Sequence, residues 1–198
     1  MSDVALGLLE FDSIAAGIVA GDAMVKRSPV DTIRAGTVQP GRYLVMLCGE
    51  VAEVQEALEA GRAAGGSVLR DELFLPQVDR AVVLAIGGTR RTSAGQALGI
   101  VETQTAAACI RGADAGVKGA TVVLRELRLS DGLGGKGFVF FGGDVADVEA
   151  AVEAACRAVG RTELLINRAV IASLHGEMDE NLRGDTRFGM RTRGEASW

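Results

Sequence analysis

Ala5-Leu6-Gly7-Leu8-Leu9-Glu10 is answered 92 positions later by Ala97-Leu98-Gly99-Ile100-Val101-Glu102. The echo continues at the same spacing, with Asp22-Ala23-Met24-Val25-Lys26 against Asp114-Ala115-Gly116-Val117-Lys118. Farther along, Cys48-Gly49-Glu50-Val51-Ala52-Glu53-Val54 matches Gly142-Gly143-Asp144-Val145-Ala146-Asp147-Val148, now 94 apart. The second copy therefore holds two extra residues between Lys118 and Gly142. Three matching blocks in one order identify a duplicated domain, the feature that decides the fold.

The 198 residues divide into two units of roughly 90, each long enough to bury a core. Residues 1–86 are expected to form the first domain, 87–96 a linker, 97–176 the second domain and 177–198 a flexible C-terminal tail. The net charge of −5 with mixed signs offers no basic face to nucleic acid or anionic lipid. Apolar runs are broken by charge or glycine, so no membrane span is expected, and Met1-Ser2-Asp3-Val4 lacks a basic signal region. Cys48, Cys109 and Cys156 are odd in number and lack CxxC spacing, which reads as buried reduced thiols in a cytoplasmic protein. Aromatics make up only 4%, so small aliphatics fill the cores.

Within the first copy, Ala5 to Glu10 reads as a strand, with Asp12 or Ser13 capping the helix that follows. Ser28-Pro29 stops that helix. Val30 to Val38 and Tyr43 to Leu47 read as strands around a Pro40-Gly41 turn. A helix from Val51 to about Ala64 and a strand from Ser67 to Leu75 complete the unit. The order is βαββαβ, so the fold class is α+β, two tandem ferredoxin-like domains. Ala81 to Ile86 predicts a short helical piece before an exposed connection. The second copy repeats the order, and its two extra residues sit in the turn Ser130 to Gly135.

Gly132-Leu133-Gly134-Gly135-Lys136-Gly137 fits GxGxxG, yet a strand, Phe138 to Phe141, follows where a dinucleotide site needs a helix. A hairpin turn is the better account. His175 is the only histidine, and no acid–base, metal or nucleophile constellation assembles around it. Glu10 and Glu102 stand at matching strand ends, suggesting a repeated structural hydrogen bond. Lys26 and Lys118 recur at matching helix ends, where a cation complements the helix dipole or serves an interface. No catalytic residues are assigned, and the chain is not expected to be an enzyme.

The duplicated Ala-Leu-Gly-x-x-Glu, Asp-Ala-x-x-Lys and Gly-Glu/Asp-Val-x-x-Val motifs closely resemble those of the tandem-domain shell proteins of bacterial microcompartments. The resemblance runs from about Val4 to His175 and is strongest to the T-type shell protein of the propanediol-utilisation organelle, since the copies are not circularly permuted. It implies a homotrimer, a pseudohexameric tile that joins hexameric and pentameric shell proteins around enclosed enzymes in the cytoplasm. It places Lys26, Lys118 and His175 at tile edges. It lines a central pore with Thr37, Val38, Gln39, Pro40 and Gly41 from one copy and Ser130, Asp131, Gly132, Leu133 and Gly134 from the other. Symmetry turns each such residue into a ring, and glycines in the second turn let backbone N–H groups face the opening. The expected pore is narrow and suited to small polar metabolites.

Two departures qualify the resemblance. The propanediol-type turn carries a cysteine for an axial [4Fe–4S] cluster, and Gln39 stands there instead, so no cofactor or metal is expected. The family's edge motif Pro-Arg-Pro-His reads Ala172-Ser173-Leu174-His175. A cluster-carrying trimer and a small-molecule sensor of ferredoxin-like fold remain the rival readings.

Overall fold

The computed structural model describes residues 4–93, 95–184 and 186. The first copy runs β1 (Ala5–Phe11), α1 (Ile14–Arg27), β2 (Thr32–Val38), β3 (Arg42–Gly49), α2 (Val51–Gly65) and β4 (Leu69–Leu75). After α3 (Arg80–Ile86), the second copy repeats this as β5 (Ala97–Thr103), α4 (Ala106–Gly119), β6 (Val123–Leu129), β7 (Gly137–Gly143), α5 (Val145–Val159) and β8 (Leu165–Ile171). A last helix, α6 (Gly176–Arg183), follows. The antiparallel sheets are ordered β2-β3-β1-β4 and β6-β7-β5-β8, the βαββαβ arrangement in duplicate.

Local chemistry explains the repetition. Ser13 caps α1 by accepting from the Ala16 N–H, and Thr105 caps α4 by accepting from Ala108, each satisfying an orphan donor of the first turn. Gly66 and Gly160 end α2 and α5 with positive φ, a conformation glycine adopts without steric cost. The glycine of Ala-Leu-Gly has a packing reason. A Cβ on Gly7 would lie 3.0 Å from Leu58 and Val54 of α2, and one on Gly99 would lie 2.7 Å from Val152 of α5. The motif thus marks where the second helix of each copy presses on the central strand.

Strand register places the extra residues. Thr37 pairs with Tyr43 and Leu129 with Gly137, so the added pair lies in the second turn, as expected. Register also reveals a compensation that the 92-residue spacing conceals. The loop entering β6 is one residue shorter than the loop entering β2, and a β-bulge between Leu124 and Glu126 restores the count. The bulged residue, Arg125, is buried and donates to Asp179 of α6 at 2.5 Å.

That contact corrects one expectation. The segment from Glu177 reads as a loose polar tail in sequence, but residues 176–183 form a helix tied to the second sheet. Arg90 donates to the Gly184 and Leu182 carbonyls, and Arg128 donates to the Thr186 hydroxyl at 3.0 Å. The rest of the expected tail lies outside the described residues. The helix has no buried residue of its own, which is why its composition resembles a tail.

Candidate functional site

The two copies meet in a joint built mostly from polar side chains around an apolar centre. Along β1, residues 5, 7, 9 and 11 face α1 and α2, while Leu6, Leu8 and Glu10 face the other way. All seven are buried, because α4 and α3 cover the second face. Glu10 is fully enclosed. One carboxylate oxygen accepts from Arg42 at 2.9 Å and the other from the Ala106 N–H at the start of α4, also at 2.9 Å. A carboxylate there meets the positive end of the helix dipole. Burial pushes the Glu10 carboxyl above its usual range, opposed by the Ala106 N–H and by Arg42.

Around this pair, Asp71 accepts from the Thr105 hydroxyl at 2.5 Å and from Arg161 at 3.1 Å. Arg111 donates to the Glu72 carbonyl. Asp114 of α4 accepts from the Asp79 N–H at 2.8 Å and pairs with Lys118 at 2.6 Å, while Lys118 also donates to the Gln77 carbonyl. Every one of these bonds except Asp114–Lys118 crosses from one copy to the other. Sequence reading missed Arg42, Asp71, Arg111 and Arg161. A signal was present for the first: Arg42 and Lys136 occupy matched positions at the start of β3 and just before β7, and Lys136 pairs with Glu102 at 3.1 Å as Arg42 does with Glu10 at 2.9 Å.

The two turns read as pore-lining come together beside this joint. Residues 37–41 turn through a cis Gln39–Pro40 bond, with the Gly41 N–H donating to Val38 at 3.0 Å. Ser130 to Gly135 turns through positive φ at Ser130, Gly132, Gly134 and Gly135. A Cβ on Gly135 would lie 2.8 Å from Arg42 and 2.9 Å from Pro40, so the turns touch. Arg42 secures the contact by donating to the Gly135 carbonyl at 3.3 Å. Gln39, Asp131 and Gly132 then edge a hollow of about 370 Å³ with Arg128. Not all the N–H groups of the second turn are free to face an opening. Those of Leu133, Gly135 and Lys136 bond within it, to Ser130, Ser130 and Leu133.

The residues here do not suit an iron–sulfur cluster. Such a cluster needs thiolates, and the paired turns present Gln39, Pro40, Ser130 and Asp131. Cys48 lies at the far end of β3, and burial raises the Cys109 thiol to about 12 beneath Gly137. Among the described residues no group of three or more metal-ligating side chains occurs.

Of the expected edge residues, Lys26 is exposed and pairs with Asp22 at 2.6 Å, one turn away on α1. Lys118 makes the same intrahelical pair but is also spent on the joint. His175 is exposed at the N-cap of α6, where its carbonyl accepts from Asp179.

The BMC domain model matches this chain twice, over residues 5–78 and 97–174. The chain belongs to the BMC domain family. The bacterial microcompartment shell protein PduT of Citrobacter freundii is 42% identical over 174 residues, spanning 88% of this chain and 95% of the relative. EutK of Salmonella typhimurium, another such shell protein, is 37% identical over 93 residues, 45% of this chain and 56% of its own length. Among solved structures, a microcompartment protein from Desulfitobacterium hafniense superposes with a TM-score of 0.78 at 39% identity, covering 90% of this chain and 99% of that one. A fused permuted hexameric shell protein from the RMM microcompartment, 20% identical with a TM-score of 0.57 over 81% of this chain and 83% of its own, shares the fold. This BMC chain is thus a shell protein with tandem domains, and its relatives have structural roles. Among the described residues no helix is long and apolar enough to cross a membrane.

Proposed function

We propose that three copies of this BMC protein close into a flat six-lobed tile of a microcompartment shell, with the paired turns ringing a polar pore. The observation that carries the reading is the unequal cover of the two central strands. β1 is buried throughout, whereas in β5 Ile100 and Glu102, the counterparts of Leu8 and Glu10, remain partly open. The same inequality holds for α1. Its Ile14, Ile18, Val19 and Val25 are 40, 53, 57 and 43% exposed, while Ala106 and Ile110, the counterparts of the first two, are fully buried in the joint. One chain thus owns one complete joint and two complementary half-joints. A second copy supplies what the open halves lack, and repetition about a threefold axis closes the ring without leaving an unpaired edge.

In that ring Gln39 and Asp131 recur three times each around the axis, presenting amides and carboxylates to passing solutes. Such a lining favours small polar metabolites over apolar ones. Lys26 and His175 lie at the rim, where hexameric and pentameric shell proteins would abut, and enclosed enzymes would sit behind the sheet. Sedimentation of the full chain at micromolar concentration tests the reading, with a trimer expected and a stable monomer overturning it. For the pore, Gln39→Trp should reduce metabolite flux through shells several-fold without loss of assembly; unchanged flux would remove Gln39 from the lining.

A further inference from the structure

The joint inside the chain holds a cluster of arginines that the second copy does not repeat. β4 enters the joint through a β-bulge: Glu10 pairs with Asp71 and Phe11 with Leu69, so Arg70 between them has no partner in the ladder. Its side chain reaches Asp12 only at 3.4 Å, and Asp12 is shared with Arg42 at 3.3 Å. The buried Nε of Arg70 donates to nothing among the described residues. A buried N–H without an acceptor costs stability, and an acceptor from outside the chain relieves it.

Arg70 lines a cleft of about 530 Å³ together with Arg111 of α4 and Arg161, just after α5. Two carboxylates also line it, and both are already engaged. Asp71 accepts from the Glu72 N–H at 2.9 Å, from the Thr105 hydroxyl and from Arg161, with Arg111 at 3.7 Å. Glu72 is held by Arg62 at 2.5 Å. Three guanidiniums thus border the hollow with one enclosed carboxylate to balance them. Phe74 and Val159 add an apolar wall, where a lower local dielectric strengthens attraction between charges.

The matched bulge of β8 holds Ile166, between the Glu102–Asn167 and Thr103–Leu165 pairs. Val19 stands in the place of Arg111 and Ser67 in that of Arg161. Every lining residue of the arginine cleft belongs to one chain, so the cleft is complete before any assembly.

We propose that this cleft binds a phosphate dianion, free or as the head of a small phosphate ester, once per chain. Charge and shape select the class. A guanidinium presents a planar fork of donors, and the two oxygens of a carboxylate satisfy one such fork. A tetrahedral dianion offers oxygens in several directions and suits three forks at once. The bound anion supplies the acceptor that Arg70 lacks and ties β4 to α4 and α5 across the joint. The inference holds for a single chain and is independent of the threefold tile.

Calorimetric titration of the full chain with inorganic phosphate, at ionic strength held constant with chloride, should show saturable binding at one site per chain, and acetate should show none. Phosphate at about a hundredfold above its dissociation constant should raise the melting temperature by about 5 °C. Glycerol phosphate separates the two sources: tighter binding than inorganic phosphate assigns the cleft to an ester, and equal or weaker binding assigns it to free phosphate. Arg161 is the most exposed of the three cations. Arg161→Gln should weaken phosphate binding about tenfold, the loss of one charged hydrogen bond. Arg157→Gln, in the last turn of α5 but outside the cleft, should leave it unchanged. Arg70→Lys keeps the charge, loses the fork and should weaken binding at least as much, so it carries the test if Arg161→Gln does not fold. Absence of saturable phosphate binding overturns the proposal, as does binding that acetate matches, that a folded cleft variant leaves unchanged, or that Arg157→Gln weakens equally.

Discussion

The joint inside the chain and the open edges at its two ends are made from the same sequence motifs, yet they obey different physical rules. Arg42 and Glu10 are 11 and 0% exposed, and Lys136 and Glu102, in the matched places, are 48 and 34% exposed. α4 carries Ala106 and Ile110 into a core, while α1 carries Ile14 and Ile18 into solvent. The difference teaches that a BMC domain is not finished by its own helices and sheet. Its central strand has two faces to bury, and in β1 it is the other copy that supplies the cover for the second.

The largest effect should separate the two helices. Ile110→Asp puts an unpaired charge into the joint, an expense of several kcal/mol, and should leave no cooperative thermal transition near that of the parent. Ile18→Asp, at the equivalent position of α1, should leave a folded chain that sediments as a monomer. If Ile18→Asp unfolds the chain as Ile110→Asp does, the contrast between joint and edge is lost.

Next come the paired carboxylates. Glu10→Ala removes the buried partner of Arg42, leaving it the half-exposed Asp12, and should destabilise the chain by about 3 kcal/mol, measured by chemical denaturation. Glu102→Ala breaks a half-exposed pair and should cost less than about 1 kcal/mol in the unassembled chain. Equal losses would mean that the two pairs are energetically alike and that burial of β1 is not the deciding term.

The turns sharpen the comparison further. Gly135→Ala meets both a φ of +90° and the Arg42 and Pro40 contacts, whereas Gly41→Ala meets only a φ of +100° in open space. Backbone strain alone costs about 1 kcal/mol, so Gly135→Ala should lower the melting temperature by about twice as much.

The smallest effect concerns α6. The hydrogen bond from Arg125, with Arg183 adding to it, holds the Asp179 carboxyl below its ordinary value near 3.8. A depressed folded value means that the contribution is present above pH 3.8 and is lost as the pH falls through the lowered value. Hydrogen exchange should therefore find the α6 amides protected at pH 7 and progressively less protected as the pH falls below 3.8, with the amides of β5 unchanged. Asp179→Asn should reproduce the acidic pattern at pH 7.

Much of this was legible from residue order. The repeated Ala-Leu-Gly strand, the Ser13 and Thr105 caps, the stop before Pro29 and the glycine-rich second turn are local features, and local steric and hydrogen-bonding rules suffice to read them. The placement of the paired turns side by side could be expected from the family resemblance, but Arg42 as the residue that ties them could not. Its partners, Glu10 and Gly135, are distant in sequence and meet only once the two sheets are set together. α6 was hidden for the opposite reason. Its only large apolar residues are Met178 and Leu182, too few to show a helical period, and it is held by Arg90, Arg125 and Arg128 from elsewhere in the chain.

Composition and repetition by themselves determined that this is a two-copy α+β protein, because strand and helix periodicities are set by neighbours a few residues apart. Only the tertiary structure decided which copy is covered and which is open, where the bulge at Arg125 repays a shortened loop, and how the C-terminal helix is held. Those outcomes depend on packing between residues far apart in the chain, which no short window of sequence contains.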